Sequence, residues 1–439
     1  MKTIKNTKNN THSLRSFLLL WASQSISAMG TAMTDYALVV WIYGQNGTAT
    51  SVSLLTLCSF APTILFRFVA GAVADRWNKK AIMLAADLFA ACGTLTILLL
   101  HSFGALTILP LYVITFALSL MNAFQVPAAY VATSLLIPRE QYARAGGLQA
   151  VSGAVQSILS PALGAAVLAW GGLTAVLCID LITFAIAFAA LVFLRIPRPP
   201  REEREEKESL LRSCLTGLRY LKGQPHMLRL ILFIAAVNLL AKLGPDGQMA
   251  AFILSRSGNH QPALGAVQMC VSLGIIAGGL LMTGAKPVKD RGRAVVTMCG
   301  LIFLTGIGLA VSRSVTGWCL FAFLQYSCAA IMNVNWETFM RTQVPERLLG
   351  RVYSTRDTIQ NGTIPLGLFL GGWLADRVFG PLSAEGSQLH SLLGPLLGAG
   401  PGMGMALLFL LVGLSGLLLS VICLMKRIYQ PRKAGAEQT

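Results

Sequence analysis

The chain has 439 residues; 54% are hydrophobic, only 12% are charged, and the formal net charge is +17. Soluble domains carry roughly 25% charged residues, so a soluble chain of this kind would have to bury its helices almost without polar faces. That class is excluded, and the positions of the basic residues exclude the nucleic-acid binder that the surplus charge alone suggests.

A run of about 20 apolar residues crosses a bilayer. Twelve such runs follow one another: 17–43, 51–73, 79–101, 106–129, 147–170, 173–195, 227–254, 262–284, 294–312, 317–340, 350–375 and 403–425. The first is too long for the core of a signal peptide and follows a mostly polar segment of 16 residues, so it reads as the first span rather than a cleavable leader. Of 35 Lys and Arg residues, 24 fall at the two termini and in the connections after even-numbered spans, and Lys79, Lys80, Arg195, Arg229, Arg351 and Arg356 lie in the adjoining span ends. The opposite side has Arg256, Arg313 and Arg377, while Arg67 and Lys242 lie inside spans. This asymmetry predicts a multi-pass protein of the cell membrane with both termini cytoplasmic.

Span 1 carries Gln24 and, deeper, Asp35, with no base within two turns of Asp35. An acid at mid-membrane costs about 2.5–3.5 kcal/mol on insertion scales, so each such residue calls for a reason. Span 2 ends in "GAVADRWNKK", Gly71–Lys80, a short basic turn into span 3. Gly71 permits close helix approach, and Asp75 can face the positive N-terminal end of a neighbouring helix. Arg76, Lys79 and Lys80 can bridge to acids on facing helices. Asn78 is expected to tolerate a left-handed turn there.

Asp87 in span 3 and Asp180 in span 6 each lie about two turns from a span end. Both read as structural partners of nearby bases or helix ends, with a functional role as the other reading. Span 4 offers Asn122 and Gln125. Span 5 contains "SPALGA", with Ser160, Pro161 and Gly164, small residues and a proline that suit a bent, closely packed helix.

The only long charged connection is Arg195–Gln224, rich in Pro and Glu. From Leu210 its apolar residues take helical spacing, which predicts a helix on the membrane surface. It divides the chain into an N-terminal six-span half (1–195), a cytoplasmic linker (196–226) and a C-terminal six-span half (227–439). "IPREQYAR" (Ile137–Arg144) matches "VPERLLGR" (Val344–Arg351) at an offset of 207, each between the fourth and fifth spans of its half. Such duplication marks many secondary transporters.

In span 7, Asn238, Lys242 and Asp246 share one helical face, and "GPDG" at Gly244–Gly247 interrupts the helix. Broken helices at membrane depth line cavities; a simple Lys242–Asp246 pair is the competing reading. Span 10 shows Gln325, Asn333, Asn335 and Glu337, and Arg341 at i+4 from Glu337 predicts an ion pair. The polar groups of these spans fit a cavity lining, or hydrogen bonds between helices.

A second G-x-x-A-D-R, Gly372–Arg377, closes span 11. Its offset from the first copy is 301 rather than 207, and it leads into an outer loop. Asp376 there reads as a polar helix end, so that Asp376→Asn is expected to be nearly silent.

Nine cysteines are scattered without a C-x-x-C pair and five histidines without ligand spacing. The thiols read as packing residues, and neither metal nor cofactor is expected.

"GAVADRWNKK" resembles the signature between helices 2 and 3 of the major facilitator superfamily, with Gly71, Asp75, Arg76, Lys79 and Lys80 in register and Asn78 in place of a glycine. "WASQSISAMGTAMTDYALVVWIYGQNGTA" (Trp21–Ala49), "FQVPAAYVATSLLIP" and "LGRVYSTRDTIQNGTIPLG" are similar to its macrolide-efflux-type branch. "SPALGA" resembles the helix 5 antiporter motif, with Ser160 and Ala165 replacing glycines. The resemblance implies an all-α membrane fold of twelve helices in two pseudo-symmetric halves, rocking about a midplane site. It implies a gating loop whose Asp75 faces the start of helix 11, and a cavity lined by helices 1, 4, 7 and 10, onto which Asp35 would open. It implies, finally, export of amphipathic drugs such as macrolides against protons, by a monomer. The helix 4 arginine of many drug–proton antiporters is missing, since Leu106–Phe124 carries no charge. An exporter of an endogenous metabolite or siderophore is the alternative. A membrane sensor or scaffold would need a soluble output domain, and an enzyme or nucleotide-driven pump would need motifs such as G-x-S-x-G or G-x-x-x-x-G-K-[ST].

Overall fold

The computed structural model describes residues 3–137, 142–194, 218–284, 288, 290–345 and 348–430. It is all helical, with no strand among the described residues. In chain order the helices are α1 (Thr3–Asn46), α2 (Ala49–Arg76), α3 (Lys79–Ser102), α4 (Ile108–Leu136) and α5 (Tyr142–Phe193). There follow α6 (Pro225–Leu243), α7 (Pro245–Arg256), α8 (Gln261–Gly284), α9 (Arg291–Val311) and α10 (Val315–Gln343). The last are α11 (Leu349–Asn361), α12 (Ile364–Leu374), α13 (Gln388–Leu397) and α14 (Met403–Met425). Eight helical stretches among the described residues are long and apolar enough to cross a membrane. All twelve apolar runs fall in helical elements, which is compatible with twelve spans.

Backbone chemistry explains where single runs become two helices. In α5, Gly172 takes φ 66°, a conformation that costs glycine nothing, and breaks the element beside Trp170, 86% exposed. Pro245 lacks an N–H and opens α7 immediately after α6, as the Gly-Pro pair predicts. Thr363 and Pro365 likewise separate α11 from α12. The end of α12 widens into a π-helical turn, Ala375–Phe379.

Two compact units result: Met1–Asn46 with Leu54–Arg204, and Gly47–Ser53 with Glu205–Thr439. The first turn of α2 thus belongs to the second unit. Most of the linker, and with it most of the surface helix expected from Leu210, lies outside the described residues; 218–222 is helical, with Leu221 fully buried.

Within the first unit, α1 lies against both arms of α5. A Cβ on Gly164 would stand 3.1 Å from the Tyr36 ring and 3.5 Å from the Met33 backbone, so the small residue at 164 sets that helix spacing. Ser160 is buried and donates to the Gln156 carbonyl at 2.7 Å and the Met29 sulfur at 3.0 Å. At one end of the unit Phe17, Ile82, Met83, Ala132, Leu191 and Leu194 form an apolar core. In the second unit Phe252 packs edge-on to Trp318 at 6.0 Å and against Phe409 at 4.9 Å.

The connection after α12, read as loop from the sequence, holds α13. Arg256 donates to the Leu397 and Gly398 carbonyls at 2.6 and 3.1 Å, and Arg313 to that of Pro395. Two of the few bases on the side read as external therefore occupy the negative end of a short helix.

Candidate functional site

The polar residues inside the apolar helices gather into separate clusters in each unit. In the first unit, Asp87 of α3 is only 3% exposed, and it accepts from Gln125 at 2.6 Å and Gln24 at 3.2 Å. Asp180 of α5 is 1% exposed and accepts from Thr34 at 3.0 Å, Thr94 at 3.2 Å and Thr31 at 3.4 Å. The sequence reading gave both acids bases or helix ends as partners; the structure gives them amides and hydroxyls. Gln24 and Gln125, read as cavity lining or as hydrogen-bond partners between helices, turn onto Asp87, the second of those readings. Asn122 and Asp35 are exposed, so Asp35 is the accessible acid of α1. A buried charge without a counter-charge is unfavourable unless hydrogen bonds compensate, and the glutamines and threonines are the compensation available.

In the second unit, the break at Gly244 sets Asp246 in the first turn of α7. Lys242 and Asp246 pair at 2.7 Å, with a quarter of each side chain exposed. Tyr326 of α10 donates to the same carboxylate. Asn238 donates to the Gln360 carbonyl at 3.2 Å. The paired reading of Lys242 and Asp246 is the one realised, and it brings α6, α7 and α10 to one polar centre. Asn333 is exposed, whereas Asn335 is fully buried and donates to the Ile331 carbonyl at 2.9 Å. Two residues apart on a helix, they face different ways, and Asn335 sits in the packing between helices rather than on an open wall.

Glu337 corrects another expectation. Its ion pair is with Arg356 of α11, at 2.7 Å, while Arg341 is exposed. Arg356 is 8% exposed, also meets Asp357 at 2.8 Å, and lies over the Tyr353 ring at 4.1 Å. A buried guanidinium between two half-exposed acids and an aromatic face is a well-compensated cation.

The second G-x-x-A-D-R segment, and the turn that follows the first, also differ from expectation. The side chains of Gly71, Asp75 and Arg76 lie outside those described. Beyond them, Asn78 has φ −67° and ψ 116°, an extended rather than left-handed backbone. It acts as the N-cap of α3, accepting from the Lys80 amide at 3.0 Å. Lys80 does not reach for an acid: its ammonium donates to the Val192 and Leu194 carbonyls, at 2.8 and 2.7 Å, closing the end of α5. Lys79 is 7% exposed.

The second segment is no idle helix end. Asp376, in the π-helical turn, accepts from the amides of Ala49 and Thr50 at 3.1 and 2.7 Å and from the Thr50 hydroxyl at 2.5 Å. A Cβ on Gly372 would stand 2.6 Å from Ser53 Oγ and 2.8 Å from Thr50 Cα. Ser53 donates to Gln248, fully buried, at 2.7 Å. Glycine for close approach and aspartate on a helix N-terminus are the two roles the sequence assigned to the first copy. The second performs them on α2. The missed signal was the residue order itself: a glycine followed four residues on by an aspartate suits close approach and a helix N-terminus whatever its offset.

Helices packed through small residues, with acids compensated inside the apolar layer and a helix broken at a charged centre, define a multi-span transporter. Residues 20–368 match the family model "Major Facilitator Superfamily", and the chain belongs to that family. It is 25% identical over 370 residues to "Macrolide efflux protein A" of Streptococcus pyogenes, covering 82% of this chain and 90% of the relative. It is 24% identical over 344 residues to "Enterobactin exporter EntS" of Shigella flexneri, covering 76% and 79%. The crystal structure of the nucleoside transporter NupG shares the fold with TM-score 0.68 and 12% identity, over 95% of this chain and 100% of that one.

Proposed function

We propose that the protein exports hydrophobic or amphipathic drugs, macrolide-like compounds among them, by proton antiport and alternating access. The observation that carries this reading is the likeness to macrolide efflux protein A over most of both chains. An ionisable acid at the depth of Asp35 supports proton coupling: its side chain is exposed at the protein surface, whereas Asp87 and Asp180 are shielded. The centre at Lys242, Asp246 and Tyr326 supplies the polar groups that a mostly apolar substrate site uses to orient its ligand. In this reading Gly71, Asp75, Arg76, Lys79 and Lys80 gate the cytoplasmic side, the protein works as a monomer in the cell membrane, and both termini are cytoplasmic. The two six-helix halves with their linker are the moving bodies.

A second reading, export of a siderophore or other endogenous metabolite, is favoured by the likeness to an enterobactin exporter. Expression in a drug-sensitive strain stripped of its own pumps separates the two. Raised resistance to macrolides supports the first. Unchanged resistance across antibiotic classes, with restored siderophore secretion, supports the second.

A further inference from the structure

Asp180 accepts three hydrogen bonds from hydroxyls, and one of those donors has a choice. Thr31 has a single hydroxyl proton and two acceptors in reach, the Ser27 carbonyl at 3.2 Å and Asp180 Oδ1 at 3.4 Å. Thr34 and Thr94 both donate to the other oxygen, Oδ2. A hydroxyl both donates and accepts. When Asp180 is ionised, Thr31 turns its proton onto Oδ1, and the carboxylate accepts three hydrogen bonds. When Asp180 is protonated, Oδ1–H donates to Thr31 Oγ1, Thr31 donates to Ser27, and Oδ2 keeps its two donors. Both states are fully hydrogen-bonded.

The surroundings favour a proton over a larger cation. A Cβ on Gly30 would stand 3.0 Å from Oδ1 and 2.3 Å from the Thr183 hydroxyl, so the carboxyl is closely packed. Among the described residues, the charged group that acts on Asp180 is Asp35, a like charge. Asp35 is one turn beyond Thr31 on α1 and is exposed.

We propose that Asp180 is the buried proton-holding carboxylate of the first unit, taking up and releasing a proton as the Thr31 hydroxyl turns. This rests on the proton-coupled reading above for its role in transport, but the titration itself does not. Infrared difference spectroscopy on the full chain in lipid vesicles, without substrate, reads it directly. Acidification should produce a carboxylic-acid C=O band that Asp180→Asn removes. Thr31→Val should move that band to higher frequency, because the acid proton loses its acceptor. Should Asp180→Asn fail to accumulate, the Thr31→Val shift decides alone. An unchanged spectrum in either variant, or loss of the band on adding sodium at constant pH, overturns the proposal. In everted vesicles Asp180→Asn should lose at least tenfold in proton-driven uphill efflux while keeping substrate counterflow. Uphill efflux at the wild-type rate overturns the role. A titrating Asp180 band in a protein whose export ignores the pH gradient would instead refute antiport and leave the buried acid in place.

Discussion

Asp376 accepts hydrogen bonds from both the backbone amide and the hydroxyl of Thr50, at 2.7 and 2.5 Å. With the Ala49 amide as a third donor, the carboxylate closes the N-terminus of α2 from a residue far away in sequence. Capping residues contribute about 0.5–2 kcal/mol, and a carboxylate also complements the helix dipole. Asp376→Ala should therefore lower the melting temperature in detergent and slow efflux. Asp376→Asn, which keeps one acceptor oxygen, should fall between it and wild type. A pair of variants that melt and transport like wild type would return Asp376 to the role of an idle helix end.

Asp35→Asn should abolish or strongly reduce proton-driven efflux, and Asp35→Glu should retain part of it, because the titrating group survives. The measurement is substrate efflux in everted vesicles under an imposed pH gradient, normalised to protein level. Wild-type rates in Asp35→Asn would remove the residue from coupling.

The Arg356 cluster makes an asymmetric prediction. Glu337 and Asp357 are 41% and 46% exposed, so losing one acid leaves the guanidinium paired with the other. Glu337→Gln should cost no more than about 1 kcal/mol, as partly exposed pairs do. Arg356→Ala removes a buried cation together with its packing on Tyr353 and should cost about 3 kcal/mol or more. Thermal unfolding of the two variants in the same detergent compares them, and equal losses would contradict the geometry.

Topology has its own test. Tags after Met1 and Thr439 should both be protected in intact cells, and a cysteine at Asn46 should react with an impermeant label. A C-terminal tag reached from outside would break the orientation inferred from the basic residues.

Local chemistry was legible in the sequence, and distant pairing was not. Gly244–Pro245 announced the break between α6 and α7, because proline cannot continue the hydrogen-bond ladder. Lys242 and Asp246 announced their ion pair by i, i+4 spacing. The same rule misled at Glu337: Arg341 has the right spacing, but Arg356 arrives on another helix. Asn78 misled in a different way, since its tolerance of left-handed backbone concealed its better use as an N-cap. The partners of Asp87 and Asp180 were hidden because glutamine and threonine carry no charge pattern to search for. Helix α13 was hidden by the glycines and prolines around it. The overall all-helical membrane fold needed none of these details, only apolar run length and the placement of Lys and Arg.

The cap on α2 also has a place in time. Thr50 and Asp376 are 326 residues apart, and a ribosome adds roughly 5–20 residues per second. The second helix therefore leaves the ribosome on the order of half a minute before the side chain that closes it. Its first amides must be satisfied by water or headgroups during that interval. A chain truncated before the eleventh span, or two halves made from separate messages, would carry that open end for longer. The start of α2 is then where quality control has most opportunity to recognise an unfinished molecule.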